Sequence, residues 1–464
     1  MRLHVTAIGR LVGHLGFLLL IAMSIVLSRE RVLFVDSAAQ LFELIQRGTF
    51  VIYDHRYTMA ITQLLPLAGI KLGLPLPALV VLYSVSAPLL AYLVFLLLAY
   101  RLKDLPLALL LLLPMLCIRH TFFHAISETF SLMIYATLLL ALLRHRCGGI
   151  VRIVGIAVCT AACVFMHPIG MFFVLFLLGY HLLDNWRQPT SAFWVGGAAL
   201  MAAVVVKLNL PSGHDATYMP SVTDALFCLA HPARVAVARR WFELLPDLYL
   251  YPVALYGVAL VWHLRRRQWL RLGWGLLFSL SFFVMTAVVY HADAGSVAVE
   301  RAWLPLVFFA GVPVVCEVAP ALCRRRQAAA LLLLAAVLLL AYGKIVDSSK
   351  YYRQRLMALQ SVVDYGRREG YRKMVAEADR FESHFKVRSW ATAFETLILS
   401  SMQGSKGTVT LYLEEQSPFV DIPDYHVQDA YLAVPWNRLW SYSTLNPRYF
   451  RLPLQSTVQF TLSD

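Results

Sequence analysis

An aspartate, Asp36, stands in Phe34-Val35-Asp36-Ser37-Ala38-Ala39-Gln40, directly after the first long apolar run of the chain. The residues from there to Gly48 read as a short helix lying on a membrane surface. A carboxylate at that level is placed to take a proton from a substrate whose polar head is in water and whose tail is in lipid. The residue also has a plainer use, because Asp is a favoured helix N-cap and Gly48 would then be the C′ residue of a helix over 37–47. Both readings stay open on the residues alone.

Glu128 is the second conspicuous carboxylate. His120, His124 and Glu128 are spaced i, i+4, i+8, so a continuous helix would put them on one face, with Glu128 ~12 Å below His120 and within the hydrocarbon. An ionised carboxylate there costs roughly 2.5–3.5 kcal/mol unless it faces a partner or a wet cavity. One reading is a His124–Glu128 pair that orients helices. The other is a metal or substrate contact on the floor of an outward-facing cavity. Asp54, His55 and Arg56, within Tyr53-Asp54-His55-Arg56-Tyr57, form either a binding segment or a solvated loop. The last outer loop carries His291, Glu300 and Arg301. Arg301 begins an apolar run, where its guanidinium either snorkels into the headgroups or holds a phosphate bidentately. His167, before Pro168, reads as a hydrogen-bonded structural histidine.

The elements that must position these groups are membrane helices. The chain of 464 residues is 59% hydrophobic and 15% charged, with a mean hydropathy of +0.64. Its apolar runs reach the ~20 residues needed to cross ~30 Å of hydrocarbon. The pattern predicts an all-α polytopic bundle over residues 1–345, with about eleven spans near 11–28, 77–100, 105–118, 122–143, 150–165, 169–183, 192–209, 248–263, 272–290, 303–320 and 328–344. Outer loops fall at 29–76, 210–247 and 291–302. The first apolar run ends in Ile25-Val26-Leu27-Ser28-Arg29, bulky where a signal-peptide cleavage site is small, so it reads as a retained anchor. From Val346 the chain turns charged, aromatic and cysteine-free, and a small α+β domain is expected over 346–464. Helices are expected there at 348–368, 374–385 and 390–400, and strands at 407–414 and 456–462.

Basic residues resist translocation, and the Arg clusters at 144–152, 265–271 and 324–326 fall on one side if every span is real. The N-terminus is therefore expected in the cytoplasm and the C-terminal domain outside it, with the titratable candidates above on the outer half. The protein reads as an integral protein of a bacterial inner membrane. Residues before Val346 include 27 basic and 14 acidic ones, against 14 and 13 from there on. The basic excess thus follows topology and gives no reason to expect nucleic acid. Seven cysteines, mostly in or beside spans, imply no disulfide framework.

This layout resembles the integral-membrane GT-C glycosyltransferases, the superfamily of protein O-mannosyltransferases and lipid A aminoarabinose transferases. The resemblance rests on an inside N-terminus, the acidic residue in Phe34-Val35-Asp36-Ser37-Ala38-Ala39-Gln40-Leu41 with Gly48 beyond it, a re-entrant amphipathic stretch over 57–73, and an extracytoplasmic C-terminal domain. Many members carry two adjacent acidic residues at this point, whereas here Ser37 follows Asp36.

What the resemblance implies is an inverting transfer of a sugar from a polyprenyl-phosphate donor to a lipid, glycan or protein acceptor. Asp36 would be the general base, and cations such as Arg56 or Arg301 would stabilise the departing phosphate. Asp54, His55, His124, Glu128, His291 and Glu300 would line the substrate site, and the amphipathic segment 222–245 would border the path of the lipid carrier. No cofactor follows from the residues; a divalent cation remains open. Two other classes stay open as well: a polysaccharide polymerase or ligase relying on Arg and His, and a lipid or glycan transporter.

Overall fold

The computed structural model describes residues 2–145, 149–184, 186–210, 222–231, 235–290, 295–377, 381, 389–414, 430–432, 439–441, 445–455 and 457–460. Helix α1 (Arg2–Val26) is followed by a short helix α2 (Ser28–Val32) and by α3 (Val35–Arg47). Among the described residues six helices are long and apolar enough to cross a membrane: His4–Val26, Leu76–Arg101, Ser191–Leu208, Trp269–Val289, Val297–Ala321 and Arg324–Arg368. The bent pair Ala236–Asp247 and Leu250–Arg265 makes a seventh if it counts as one span. Leu105–Leu116, Gly149–Val164 and Gly170–Asp184 are apolar but shorter. The chain is thus a helical membrane protein whose large apolar core runs through these helices.

The expected span over 122–143 is corrected at its N-terminal end. The chain from Ile118 to Ser127 is irregular, with a single 3-10 turn at Thr121–Phe123 and His124 in extended conformation, and the helix begins only at Glu128. Ser127 is the reason. Its hydroxyl accepts the Phe130 N–H at 3.3 Å and so caps the helix Glu128–Arg144. His120, His124 and Glu128 therefore do not share a helix face.

The last spanning helix does not stop at the membrane. Arg324–Arg368 is one helix of 45 residues, a length of ~68 Å, and it carries the chain from the bundle into the C-terminal segment. There β1 (Lys373–Glu377) is the centre of a three-stranded parallel sheet, flanked by β2 (Thr410–Glu414) and β5 (Val458–Gln459). Between them, β3 (Ala430–Leu432) and β4 (Leu439–Ser441) pair antiparallel. The sheet packs on a helix at Thr392–Ser401. The expected helix over 374–385 is overturned by β1. Its first four residues are buried on both faces, as the central strand of a parallel sheet requires, and that burial erases any alternating pattern.

Helix α3 was expected to lie on a membrane surface, but Ser37–Ile45 are all buried. Leu41, Phe42 and Ile45 belong to a second apolar core shared with Val363, Phe394, Ile398, Leu411 and Phe450. The ring of Phe42 lies 5.0 Å from that of Phe394 and 5.4 Å from that of Phe450. The C-terminal segment is thus built around α3. The helix ends at Gly48, whose φ of +59° suits a residue without Cβ and whose N–H bonds Leu44 O at 2.9 Å.

At its start, α3 is not capped by Asp36. Asp36 is the second residue of the helix, the N-cap residue Phe34 makes no side-chain cap, and Val35 between them has φ +46°. A β-branched residue in that region carries roughly 1–3 kcal/mol of strain and persists only where its surroundings hold it. Val35→Gly is accordingly expected to match or exceed the parent in thermal unfolding, whereas Val35→Pro, which cannot reach φ > 0 and has no N–H, should lose about 3 kcal/mol or more. A Gly variant as unstable as the Pro variant would contradict the strained turn.

Candidate active site

The turn bearing Asp36 is held from the C-terminal segment. Glu395, fully buried on the Thr392–Ser401 helix, accepts the Val35 N–H at 2.8 Å on Oε1, which also accepts from the Ser389 hydroxyl at 2.7 Å. Its other oxygen forms an ion pair with Arg355, itself only 4% exposed, on the long helix. Arg355 in turn donates through Nη1 to Leu33 O at 3.1 Å and lies over the ring of Phe34 at 5.1 Å. Two polar atoms of the Leu33–Val35 backbone are therefore bonded to one buried ion pair.

Asp36 itself is exposed, in a helix whose next nine residues are buried. It lies within electrostatic reach of Tyr53 and Tyr83. Burial first, then the Glu43 carboxylate with its hydrogen bond, hold the Tyr53 hydroxyl well above its usual range, so it stays protonated. Tyr83 donates to Gln40 Oε1, one helical turn beyond Asp36. The segment after His124 closes on the same turn, for Ile126 N–H reaches the Ser37 hydroxyl at 3.3 Å and the His124 ring meets Phe34 edge-on at 5.0 Å.

Glu128 does not pair with His124. Both of its oxygens accept from Arg56 Nη1 at 2.5 Å, and His167 Nε2 lies 3.7 Å from Oε2. The Ile169 N–H donates to His167 Nδ1 at 3.1 Å, which puts the proton of the neutral ring on Nε2, facing the carboxylate. His167 is therefore part of the Glu128 site, beyond the structural role expected of it. Arg56 is delivered there by a tight turn in which Asp54 and His55 have φ of +51° and +57°. Lys207 fastens that turn through Asp54 O at 3.0 Å, and His55 Nδ1 contacts the Tyr57 hydroxyl at 3.2 Å. Asp54, His55 and Arg56 are all half-buried.

Positive charge accumulates around His124. Arg31, 4% exposed, hydrogen-bonds Ser84 Oγ at 2.9 Å and Ser84 O at 3.2 Å, and stacks on Phe122 at 4.1 Å. Burial pushes its guanidinium down to about 9, which leaves it charged at neutral pH. Arg301 acts electrostatically on both His124 and Glu128, yet among the described residues no carboxylate lies within ion-pair distance of it. His124 is buried with Nε2 unbonded, and burial, followed by Arg301, His120 and Arg31, pushes its imidazole down to about 3. His124 is thus neutral at physiological pH. His120, pushed down to about 4 by burial and then by Arg119, is neutral as well, with Nδ1 3.3 Å from the Tyr352 hydroxyl.

Glu300 has its acceptor capacity taken up by the fold. It accepts the N–H groups of Arg119, His120 and Thr121 at 3.0, 2.8 and 2.7 Å together with the Thr121 hydroxyl, and so pins the irregular segment before His124. His291 lies outside the described residues. Among the described residues no three His, Cys, Asp or Glu side chains converge to hold a metal ion. The structure thus joins Glu128 with Arg56 and His167, sets the turn of Asp36 against the His124 segment through Phe34 and Ser37, and puts Arg301 within electrostatic reach of His124 and Glu128. It adds Arg31, Arg355 and Glu395, which the residue pattern did not single out as site residues. No protein-family model matches this chain, nor does any characterised protein or any solved structure.

A second ionisable cluster serves as a contrast. Glu317, on a π-helical turn at Val314–Val318, pairs with Arg271 at 2.8 Å and accepts from the Tyr180 hydroxyl and from Trp262 Nε1 at 3.3 Å. Arg271 is shared with Asp184. That cluster satisfies itself, whereas the group around His124 carries surplus cations.

The Arg56–Glu128 pair generates a direct expectation. Glu128→Gln should cost about 2–3 kcal/mol, somewhat less than breaking a fully buried pair, by leaving Arg56 without its charge partner. The double variant Arg56→Met/Glu128→Leu should regain most of that loss in thermal unfolding of the reconstituted protein. Equal destabilisation in both would show that the pair is not what joins these segments.

Proposed function

We propose that the chain is a membrane glycosyltransferase of the GT-C type, moving a sugar from a polyprenyl-phosphate donor to an acceptor hydroxyl with inversion. The observation that carries this reading is the exposed carboxylate of Asp36 on a braced turn whose neighbours Phe34 and Ser37 touch the His124–Ile126 segment, where Arg31 and Arg301 act on the His124 imidazole. In the proposed step Asp36 takes the proton of the acceptor hydroxyl as its oxygen attacks the anomeric carbon. The bond from that carbon to the phosphate oxygen breaks, and the lipid phosphate leaves with the electron pair.

Arg301 is the cation best suited to the departing phosphate, because Arg56 is already bonded to Glu128. Arg31 adds to the positive potential that favours an anion, and the neutral His124 offers its free nitrogen as a hydrogen-bonding group. Asp54, His55 and Glu128 would shape the sugar site, with Glu300 fixing one wall. The reading includes eleven crossings, with the shorter apolar helices counted as spans and the N-terminus in the cytoplasm. The C-terminal domain and Asp36 then face outward from a bacterial inner membrane. Helices Val222–Ala230 and Ala236–Leu248 would border the carrier lipid's path.

Asp36→Asn is the test. Removing a favourable charge from an exposed helix start costs only about 0.3–1 kcal/mol, so the variant should fold. Loss of a general base should slow release of polyprenyl phosphate from lipid-linked sugars by about 10²–10⁴-fold. Parent-level turnover by the folded variant would exclude Asp36 as the base.

A further inference from the structure

We propose that Arg355 and Glu395 are positioning residues for Asp36, so that the C-terminal segment sets the geometry of the catalytic carboxylate; the inference rests on the function proposed above. A buried ion pair gives little net stability over an apolar pair of the same size. Here two of its other polar atoms go to the backbone that aims Asp36. Glu395 Oε1 takes the Val35 N–H, and Arg355 Nη1 reaches Leu33 O, one bond on each side of Phe34.

The geometry leaves Asp36 little freedom to reach its place another way. Val35 sits at φ +46°, a conformation that a β-branched residue leaves when unsupported. Relaxation of Val35 to negative φ would swing the start of α3 and with it the Asp36 carboxylate. The buried face of α3 on the second apolar core fixes the helix axis and the Val35 side chain packs on the larger core, while the Val35 N–H is held by the pair. Ser389 completes the arrangement: its hydroxyl bonds Glu395 Oε1 and receives the Ala391 N–H at 3.1 Å, which orients the carboxylate toward Val35. The same pair reaches the cationic side through Phe34, which lies under Arg355 and against His124.

The test separates positioning from mere stability by reading kcat and KM per folded molecule of the full chain in lipid nanodiscs, with a polyprenyl-phosphate sugar as donor. The double variant Arg355→Met/Glu395→Leu keeps the packing volume but removes both backbone bonds. It should fold, with kcat at least tenfold lower and the KM for donor within twofold of the parent. Ser389→Ala, a milder change, should lower kcat severalfold, again at unchanged KM. Unchanged kcat in the double variant overturns the proposal; if that variant fails to fold, unchanged kcat in Ser389→Ala does so. Asp36→Asn measured alongside distinguishes the two levels. Full turnover there would mean that the function assigned to Asp36 has failed, whereas a dead Asp36→Asn with an unaffected Arg355→Met/Glu395→Leu would mean that only the positioning role has.

Discussion

The buried Arg355–Glu395 ion pair is the interaction on which the arrangement around Asp36 depends. It joins three segments far apart in the chain: the loop after the first span, the long helix that leaves the bundle, and the Thr392–Ser401 helix. Each partner is nearly inaccessible, and an isolated charge so placed would be expensive. Together they satisfy one another and two backbone groups of a turn that would otherwise relax. The apolar core around α3 supplies the bulk of the attachment; the ion pair supplies its register.

A second constraint is the uneven distribution of charge. Around Glu317 two carboxylates share Arg271, and the tyrosine and tryptophan donors fill what is left. Around His124 the charges are uneven the other way: Arg31 is bonded to neutral oxygens, Arg301 has no described carboxylate within ion-pair distance, and the imidazoles are held neutral by burial, with Arg301 and Arg31 acting on His124 and Arg119 on His120. Surplus positive charge in a poorly solvated place is costly to the free protein and favours an anionic ligand. In the proposed reaction that ligand is the donor phosphate, and the cost is part of how the site prefers the departing dianion.

Some of this was legible in the residues because it depends on local rules. Apolar length announced the membrane helices, Gly48 marked the end of α3, and the β-branched or alternating runs near 410 and 458 became β2 and β5. What could not be read depended on partners distant in sequence. The i, i+4, i+8 spacing of His120, His124 and Glu128 promised one helix face, but Ser127 caps the helix at Glu128 and Glu300 holds the preceding residues in an irregular path. Asp36 has the residue type of a cap, yet Val35 entered the helix first because Glu395 bonds its N–H from 360 positions away. Lys373–Ala376 lost any strand signature by being buried on both faces. Arg355 and Glu395 resembled ordinary charges on amphipathic helices, and no local signal distinguishes a charge that folds inward from one that faces water.

The most direct measurement is a structure of the protein in lipid with a non-hydrolysable polyprenyl-phosphonate sugar bound. The account predicts the phosphonate against Arg301, the anomeric carbon open to the side of Asp36, and room for an acceptor oxygen about 3 Å from the Asp36 carboxylate. A headgroup seated elsewhere, such as the Arg271–Glu317 end of the bundle, with Asp36 remote from the sugar, would contradict it.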